Sequence, residues 1–242
     1  MRRRNKSKQQ KHITMSKEKQ KRADGFQQIE EATISTEQFI EKNSKLLVRG
    51  LLVIIIVIAA IFGYHRFYKM PLEQEALKQM FVAETLFEKD SFNLALNGNG
   101  NNLGFLEIVD QYGSTPSGNL AKYYAGLCYL YLGDNQNAIK YLEKFSTKDM
   151  IFSTLAKSNI GDAYMQLGEY KKAAGYYQKA GSDNTNMLTT PSILMKAGLA
   201  FEKANDYKNA LAMYEKIEKE FPASLESRDI EKYITRAQSN VK

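Results

Sequence analysis

The chain is predicted to be all-α: a solenoid of helix-turn-helix units on a single N-terminal transmembrane helix. Three observations predict this. Residues 46–68 read LLVRGLLVIIIVIAAIFGYHRFY, the only long apolar run in the 242 residues. The part that follows has helical periodicity and few breakers, with only Pro71, Pro116, Pro191 and Pro222 in the whole chain. Three of its segments align on one another in register.

From Leu46 to Tyr64 there are 19 residues with one charge, Arg49. At about 1.5 Å per residue this spans roughly 28 Å, close to the hydrocarbon thickness of a bilayer. Residues 1–45 hold twelve Lys/Arg against six Asp/Glu, whereas residues 69–242 hold 20 against 21. The positive-inside rule then predicts a cytoplasmic N-terminus and a single pass, with the repeats on the far side. Arg49 lies near the cytoplasmic end, where its stem can snorkel, and Tyr64, Phe67 and Tyr68 form an aromatic belt at the other end. A cleaved signal peptide fits poorly, because the preceding segment is long and Ala59-Ala60 is followed by bulky Ile61 and Phe62.

The basic tail, residues 1–45, is read as a juxtamembrane topology signal and not as a nucleic-acid arm, since no aromatic is interleaved with its charges before Phe26. Met15 is an alternative start that would leave the tail shorter and still basic. Phe26, Ile29, Phe39 and Ile40 suggest a short amphipathic helix, and Ser35 with Gln38 resembles a capping box.

The aligned segments are 121–145, 156–180 and 194–222. A glycine recurs at Gly126, Gly161 and Gly198, and an aromatic three residues later at Tyr129, Tyr164 and Phe201. A turn residue follows at Gly133, Gly168 and Asn205. The second helix carries a small residue at Ala138, Ala173 and Ala210, then a large one at Leu142, Tyr177 and Tyr214. The glycines are 35 and 37 residues apart. Helix-turn-helix units with a period near 34 are the signature of tetratricopeptide repeats (TPRs). Close helix packing requires small residues face to face, which predicts Gly126 opposite Ala138, Gly161 opposite Ala173 and Gly198 opposite Ala210.

The three repeats occupy 119–222. Before them, 69–118 reads as a divergent repeat, with helices over 72–89 and 103–112 around an insertion, 90–102. The Gly/Asn-rich Asn97–Asn102 lacks a preceding strand and a following Lys-Ser/Thr, so it is read as a left-handed turn and not a phosphate loop. After them, 223–242 reads as a capping helix with Ile230, Tyr233, Ile234 and Ala237 inward.

The inventory of reactive groups argues against an enzyme. His12 and His65 are the only histidines, and both precede the repeats. That excludes Ser-His-Asp, Cys-His and His-based metal sites from the far-side domain. Cys128 is the only cysteine and is expected to be buried and inert. No cofactor or metal is expected.

Binding remains. TPR solenoids bind in the groove lined by the first helix of each pair. The face opposite the Gly/Ala line predicts Tyr123, Leu127 and Leu130 in the first repeat, Ser158, Asp162 and Met165 in the second, and Met195, Leu199 and Glu202 in the third. Such a surface suits an apolar segment or a partner helix. The Lys, Asn and Arg of a carboxylate clamp are expected to be absent from it.

The segments DSFNLALNGNGNNLGFLEIVDQYGST (90–115), GDAYMQLGEY (161–170) and SILMKAGLAFEK (192–203), with the tail–anchor–TPR layout, resemble the YfgM-type ancillary subunit of the bacterial Sec translocon, in its Bacteroidetes branch. The resemblance covers roughly residues 30–240. It implies an inner-membrane protein whose periplasmic TPR domain contacts SecYEG and periplasmic chaperones or foldases, with no catalytic residues to carry over. A structural envelope scaffold for a secretion, division or surface-assembly complex, touching no clients, is the alternative.

Overall fold

The computed structural model describes residues 41–183 and 185–241. The basic tail up to residue 40, with its Ser35 cap, lies outside the described residues. The chain divides after His65. In the first part, helix α1 covers residues 41–64, and its apolar side chains are exposed. Among the described residues one helical segment, Glu41–Glu88, is long and apolar enough to cross a membrane, with a stretch of mean hydropathy 2.9 and none of that stretch buried.

The second part follows a π-helical turn, His65–Lys69. Its helices are α2 (Met70–Glu88), α3 (Phe92–Asn97), α4 (Phe105–Tyr112), α5 (Pro116–Tyr131), α6 (Asn135–Lys144), α7 (Met150–Gln166), α8 (Tyr170–Asp183), α9 (Thr190–Lys203), α10 (Tyr207–Glu220) and α11 (Ile230–Gln238). From α5 onward each helix packs on the next through a short reversing connection, so α5, α7, α9 and α11 run in one direction as the first helices of their units. Four buried clusters run from Met80, Phe105 and Ile108 to Ile217, Ile230 and Ile234, bridged by half-buried side chains such as Tyr124, Tyr164 and Phe201.

The repeat glycines work differently from the expectation. A Cβ on Gly126 would meet Leu142 Cγ at 2.6 Å, and one on Gly161 would meet the Tyr177 ring at 2.6 Å; on Gly198 it would collide with the Tyr214 ring. Each glycine therefore admits the large residue of the second helix; at Gly126 the expected Ala138 is also close, its carbonyl oxygen 3.2 Å from that Cβ, whereas at Gly161 and Gly198 the nearest atoms all belong to the tyrosine. Ala138, Ala173 and Ala210 are fully buried, one turn earlier on those helices.

The three intra-repeat turns are built alike. Gly133, Gly168 and Asn205 have φ of 81°, 74° and 59°. The next residue's N–H returns to a carbonyl five residues back: Asp134 to Tyr129, Glu169 to Tyr164, Asp206 to Phe201, at 2.8–2.9 Å. This is the Schellman closure, which satisfies the last carbonyls of the helix. Asp134 and Asp206 then cap the second helices by accepting from the N–H of Asn137 and Asn209, each at 3.2 Å. Gly168→Ala places a Cβ in the left-handed region and is expected to cost about 1 kcal/mol. A fall in denaturant midpoint with unchanged slope is the measurement.

The insertion contains a helix, α3, ahead of the left-handed turn expected at 97–102. In α3, Ala95 and Leu96 are buried, and Phe92 stacks on Tyr131 with ring centroids 4.5 Å apart and meets Phe87 edge-on at 5.3 Å. The reversal itself is made by Gly98 and Gly100, both at positive φ. The first repeat also begins earlier than its alignment indicated. Pro116 opens α5, and Thr115 caps it by accepting from Gly118 N at 3.0 Å.

Candidate functional site: the inner face of the first helices

Each first helix reaches the next through one polar contact. Asn159 Nδ2 on α7 donates to Tyr123 Oη on α5 at 3.3 Å. Lys196 Nζ on α9 donates to both carboxylate oxygens of Asp162 on α7 at 2.9 Å. Arg236 on α11 grips Glu202 on α9 in a fork, Nε to Oε1 at 3.1 Å and Nη2 to Oε2 at 2.7 Å. The partners are 36, 34 and 34 residues apart, so the rungs follow the repeat period.

The second helices support these rungs from beneath. Tyr177 of α8 donates its hydroxyl to Asp162 Oδ1 at 2.6 Å, and Tyr214 of α10 lies under the Glu202–Arg236 pair. Burial, followed by the neighbouring acid, pushes both phenols well above the ordinary tyrosine range. Tyr176, hydrogen-bonded to Glu143 at 2.9 Å, is pushed up to about 12, again with burial as the main cause. A phenol whose pKa is higher folded than unfolded stabilises the fold below the unfolded value of about 10, and that contribution is lost as pH climbs through the folded value. Thermal stability should therefore fall as pH rises past about 10. Tyr214→Phe, which removes the buried hydroxyl beneath the Glu202–Arg236 pair, should make the fall shallower. Melting curves between pH 8 and 12, against a reference at neutral pH, check this.

The structure distributes the expected groove residues unequally. Tyr123 is 6% exposed, its ring 5.3 Å from Phe145 and 5.5 Å from Phe152; Leu130 is 9% exposed, in the core with Ala138 and Ile139. Ser158 is buried too. Leu127 and Met195 are half-buried against the cores of their repeats. Asp162 is held by Tyr177 and Lys196. Three of the expected residues do come together: Met165, Leu199 and Glu202 line one open depression with Lys203, Tyr207, Arg236 and Asn240.

The expectation that Lys, Asn and Arg are missing from this face is corrected: Asn159, Lys196 and Arg236 all stand on it. Lys196 and Arg236 are paired with Asp162 and Glu202, so their charge is compensated where they stand. The missed signal was the period itself. Reading 34 residues ahead from each inner-face acid finds the cation that meets it. Cys128 is fully buried, and burial pushes its thiol up to about 12, which leaves no thiolate for chemistry at neutral pH. Among the described residues no cluster of His, Cys, Asp or Glu has metal-site geometry.

A tetratricopeptide-repeat family model matches residues 120–149 and 193–224, and a second one matches 156–185. The chain carries tetratricopeptide repeats. Two crystal structures described as a Podosopora anserina kinesin light chain with nearly identical TPR-like repeats share the fold, each with a TM-score of 0.52 over 69% of this chain and 87% of that one, at 12% and 11% identity. A crystal structure of MamA covers 66% of this chain and 94% of its own at 19% identity, with a TM-score of 0.46. No curated protein matches. TPR domains are protein-binding scaffolds, and at these identities the structural likeness speaks for the fold alone.

Proposed function

We propose that the protein is a membrane-anchored adaptor. Its repeats would lie on the periplasmic side of a bacterial inner membrane and hold partner proteins beside the Sec translocon, linking it to periplasmic chaperones, foldases or emerging clients. The observation that carries the binding role is the open depression in which Met165, Leu199 and Tyr207 stand with Glu202, Lys203 and Arg236. The apolar run and the basic tail support the anchor and its orientation. The translocon setting is supported by the segments 90–115, 161–170 and 192–203, which resemble the YfgM-type subunit.

The alternative, an envelope scaffold that touches no clients, draws on a different observation. Tyr123, Leu130 and Ser158 are buried, so one end of the inner face offers fewer side chains to a peptide. Affinity purification of the tagged full-length protein from its native membrane in mild detergent separates the two. The adaptor predicts SecY and a periplasmic foldase in the eluate, with the foldase lost from Met165→Glu/Leu199→Glu. Division or surface-assembly proteins without SecY would favour the scaffold. Foldase capture unchanged by the double substitution would remove the depression from the argument.

A further inference from the structure

The first and last helices of the solenoid are finished differently. The exposed side chains of α11 are Glu231, Lys232, Thr235, Arg236 and Gln238, a polar outer face of the kind that closes a stack of repeats. At the other end α2 buries Ala76, Met80 and Ala83 on the side that packs against α3, α4 and α5. Its outer side carries Met70, Gln74, Leu77 and Phe81, all exposed, with Leu77 at 62% and Phe81 at 72%.

These four residues are spaced by four, three and four. Such spacing averages about 3.5 residues and makes a seam for a second helix, with Met70 and Leu77 at d and Gln74 and Phe81 at a. The apolar seam ends in acid, because the next two positions in phase are Glu84 and Glu88. At about 100° per residue the seam lies roughly 120° around α2 from Ala76, Met80 and Ala83. A two-fold axis along the seam therefore sends two solenoids to opposite sides of the helix pair.

The charges beside the seam choose the orientation. Glu73 stands at g and Lys78 at the following e. In a parallel pair in register, g of one helix meets the following e of the other, so Glu73 of each copy faces Lys78 of the other. In an antiparallel pair centred on the same residues the two Lys78 side chains approach each other instead. Glu73 is already fixed in place, accepting from Ser117 N at 3.1 Å and from Ser117 Oγ at 2.7 Å. Lys78 meets Glu75 of its own helix at 3.2 Å, an exposed pair that exchanges partners at little cost.

We propose that α2 pairs with α2 of a second copy of this chain, as a parallel coiled coil through Met70, Gln74, Leu77 and Phe81. Gln74 meets its counterpart across the two-fold axis, where a polar pair at a fixes the register. Four residues a side are far fewer than the roughly 20–30 of a standard interface. The pairing therefore depends on copies sharing a membrane, which raises their effective concentration, and to that extent the inference rests on the anchor reading of the apolar run. The seam uses none of the residues of the inner-face depression, so the assembly presents that depression twice.

The test uses the full chain in membranes from cells that express it, oxidised with copper phenanthroline. Single cysteines are introduced by Met70→Cys or Leu77→Cys in the seam and by Lys232→Cys on α11; Cys128 is buried and common to all three. The expected result is a disulfide-linked dimer of twice the chain mass from both seam variants and none from Lys232→Cys. Both dimers together require parallel helices in register, because antiparallel helices bring like residues together at one point only. Phe81→Glu added to Leu77→Cys places two carboxylates in the seam and should abolish the dimer, with the melting temperature unchanged because Phe81 is exposed. No dimer from the seam variants, in protein that resists alkaline carbonate, overturns the pairing and leaves the anchor standing. Protein found in the carbonate supernatant removes the anchor reading and the inference with it. A dimer that Lys232→Cys also forms, or that Phe81→Glu leaves unchanged, is collisional and overturns the pairing. A cross-linked band of another mass identifies a different protein on the seam and overturns the second copy as its occupant.

Discussion

Gly198→Ala should cost roughly as much as an overpacked core substitution, about 1–3 kcal/mol, and Gly198→Val should leave little folded protein. The new Cβ would fall within the Tyr214 ring, which is fully buried between α9, α10 and α11 with Ile217, Ile230 and Ile234 around it. Such a ring has no free volume to move into. Tyr214→Ala should cost more, about 3–5 kcal/mol, because it empties the same site. The informative variant is the double one. If the glycine exists to admit the ring, Gly198→Ala in the Tyr214→Ala background should cost nothing or restore some helix propensity, so that the two effects fall short of additivity by about 1–3 kcal/mol. Denaturant unfolding of the four species measures it. Additive costs would mean that glycine and tyrosine stabilise the repeat independently. Against a typical total of about 5–15 kcal/mol, either single change is a large fraction of the fold's stability. The first repeat supplies a natural comparison, since Leu142 stands in the tyrosine's place against Gly126.

The repeat was legible because its signals are local. A left-handed turn residue, a cap and a glycine at fixed offsets each have one physical meaning, and Gly133, Gly168 and Asn205 all have the backbone that their positions implied. The burial of Cys128 followed from the same register. What was hidden depends on neighbours distant in sequence. Helical periodicity assigns a face relative to one partner, but α5 packs against α2, α3, α4, α6 and α7, so more than one of its sides is buried. That is why Tyr123 and Leu130 left the expected groove for the core. The pairing of Gly161 with Tyr177 and not Ala173 needed the depth at which two helices cross, which spacing alone does not carry. Helix α3 escaped because six residues are too few for a period, and it is held by Phe92 against Phe87 and Tyr131 more than by propensity. Lys196 and Arg236 became visible as inner-face residues only once first helices were placed side by side.

Ile55→Lys/Ile58→Lys should release the protein from the lipid-integrated state. Both positions lie near the middle of the apolar run, where every side chain is exposed in α1 and nothing in the described chain covers it. A lysine there costs about 2.5–3.5 kcal/mol on the insertion scale, and two together outweigh the favourable contribution of many apolar neighbours at about 0.3–0.6 each. The variant is expected in the alkaline-carbonate supernatant of a membrane preparation while the parent stays in the pellet. Leu47→Lys is the matched control: at the end of the run its ammonium reaches the headgroups, so the protein should remain in the pellet. Parent-like resistance of the double variant to carbonate would mean that this run does not hold the chain in the bilayer. An intermediate result has its own reading. If the variant sediments with membranes in buffer and leaves them in carbonate, a peripheral contact survives the loss of the spanning helix.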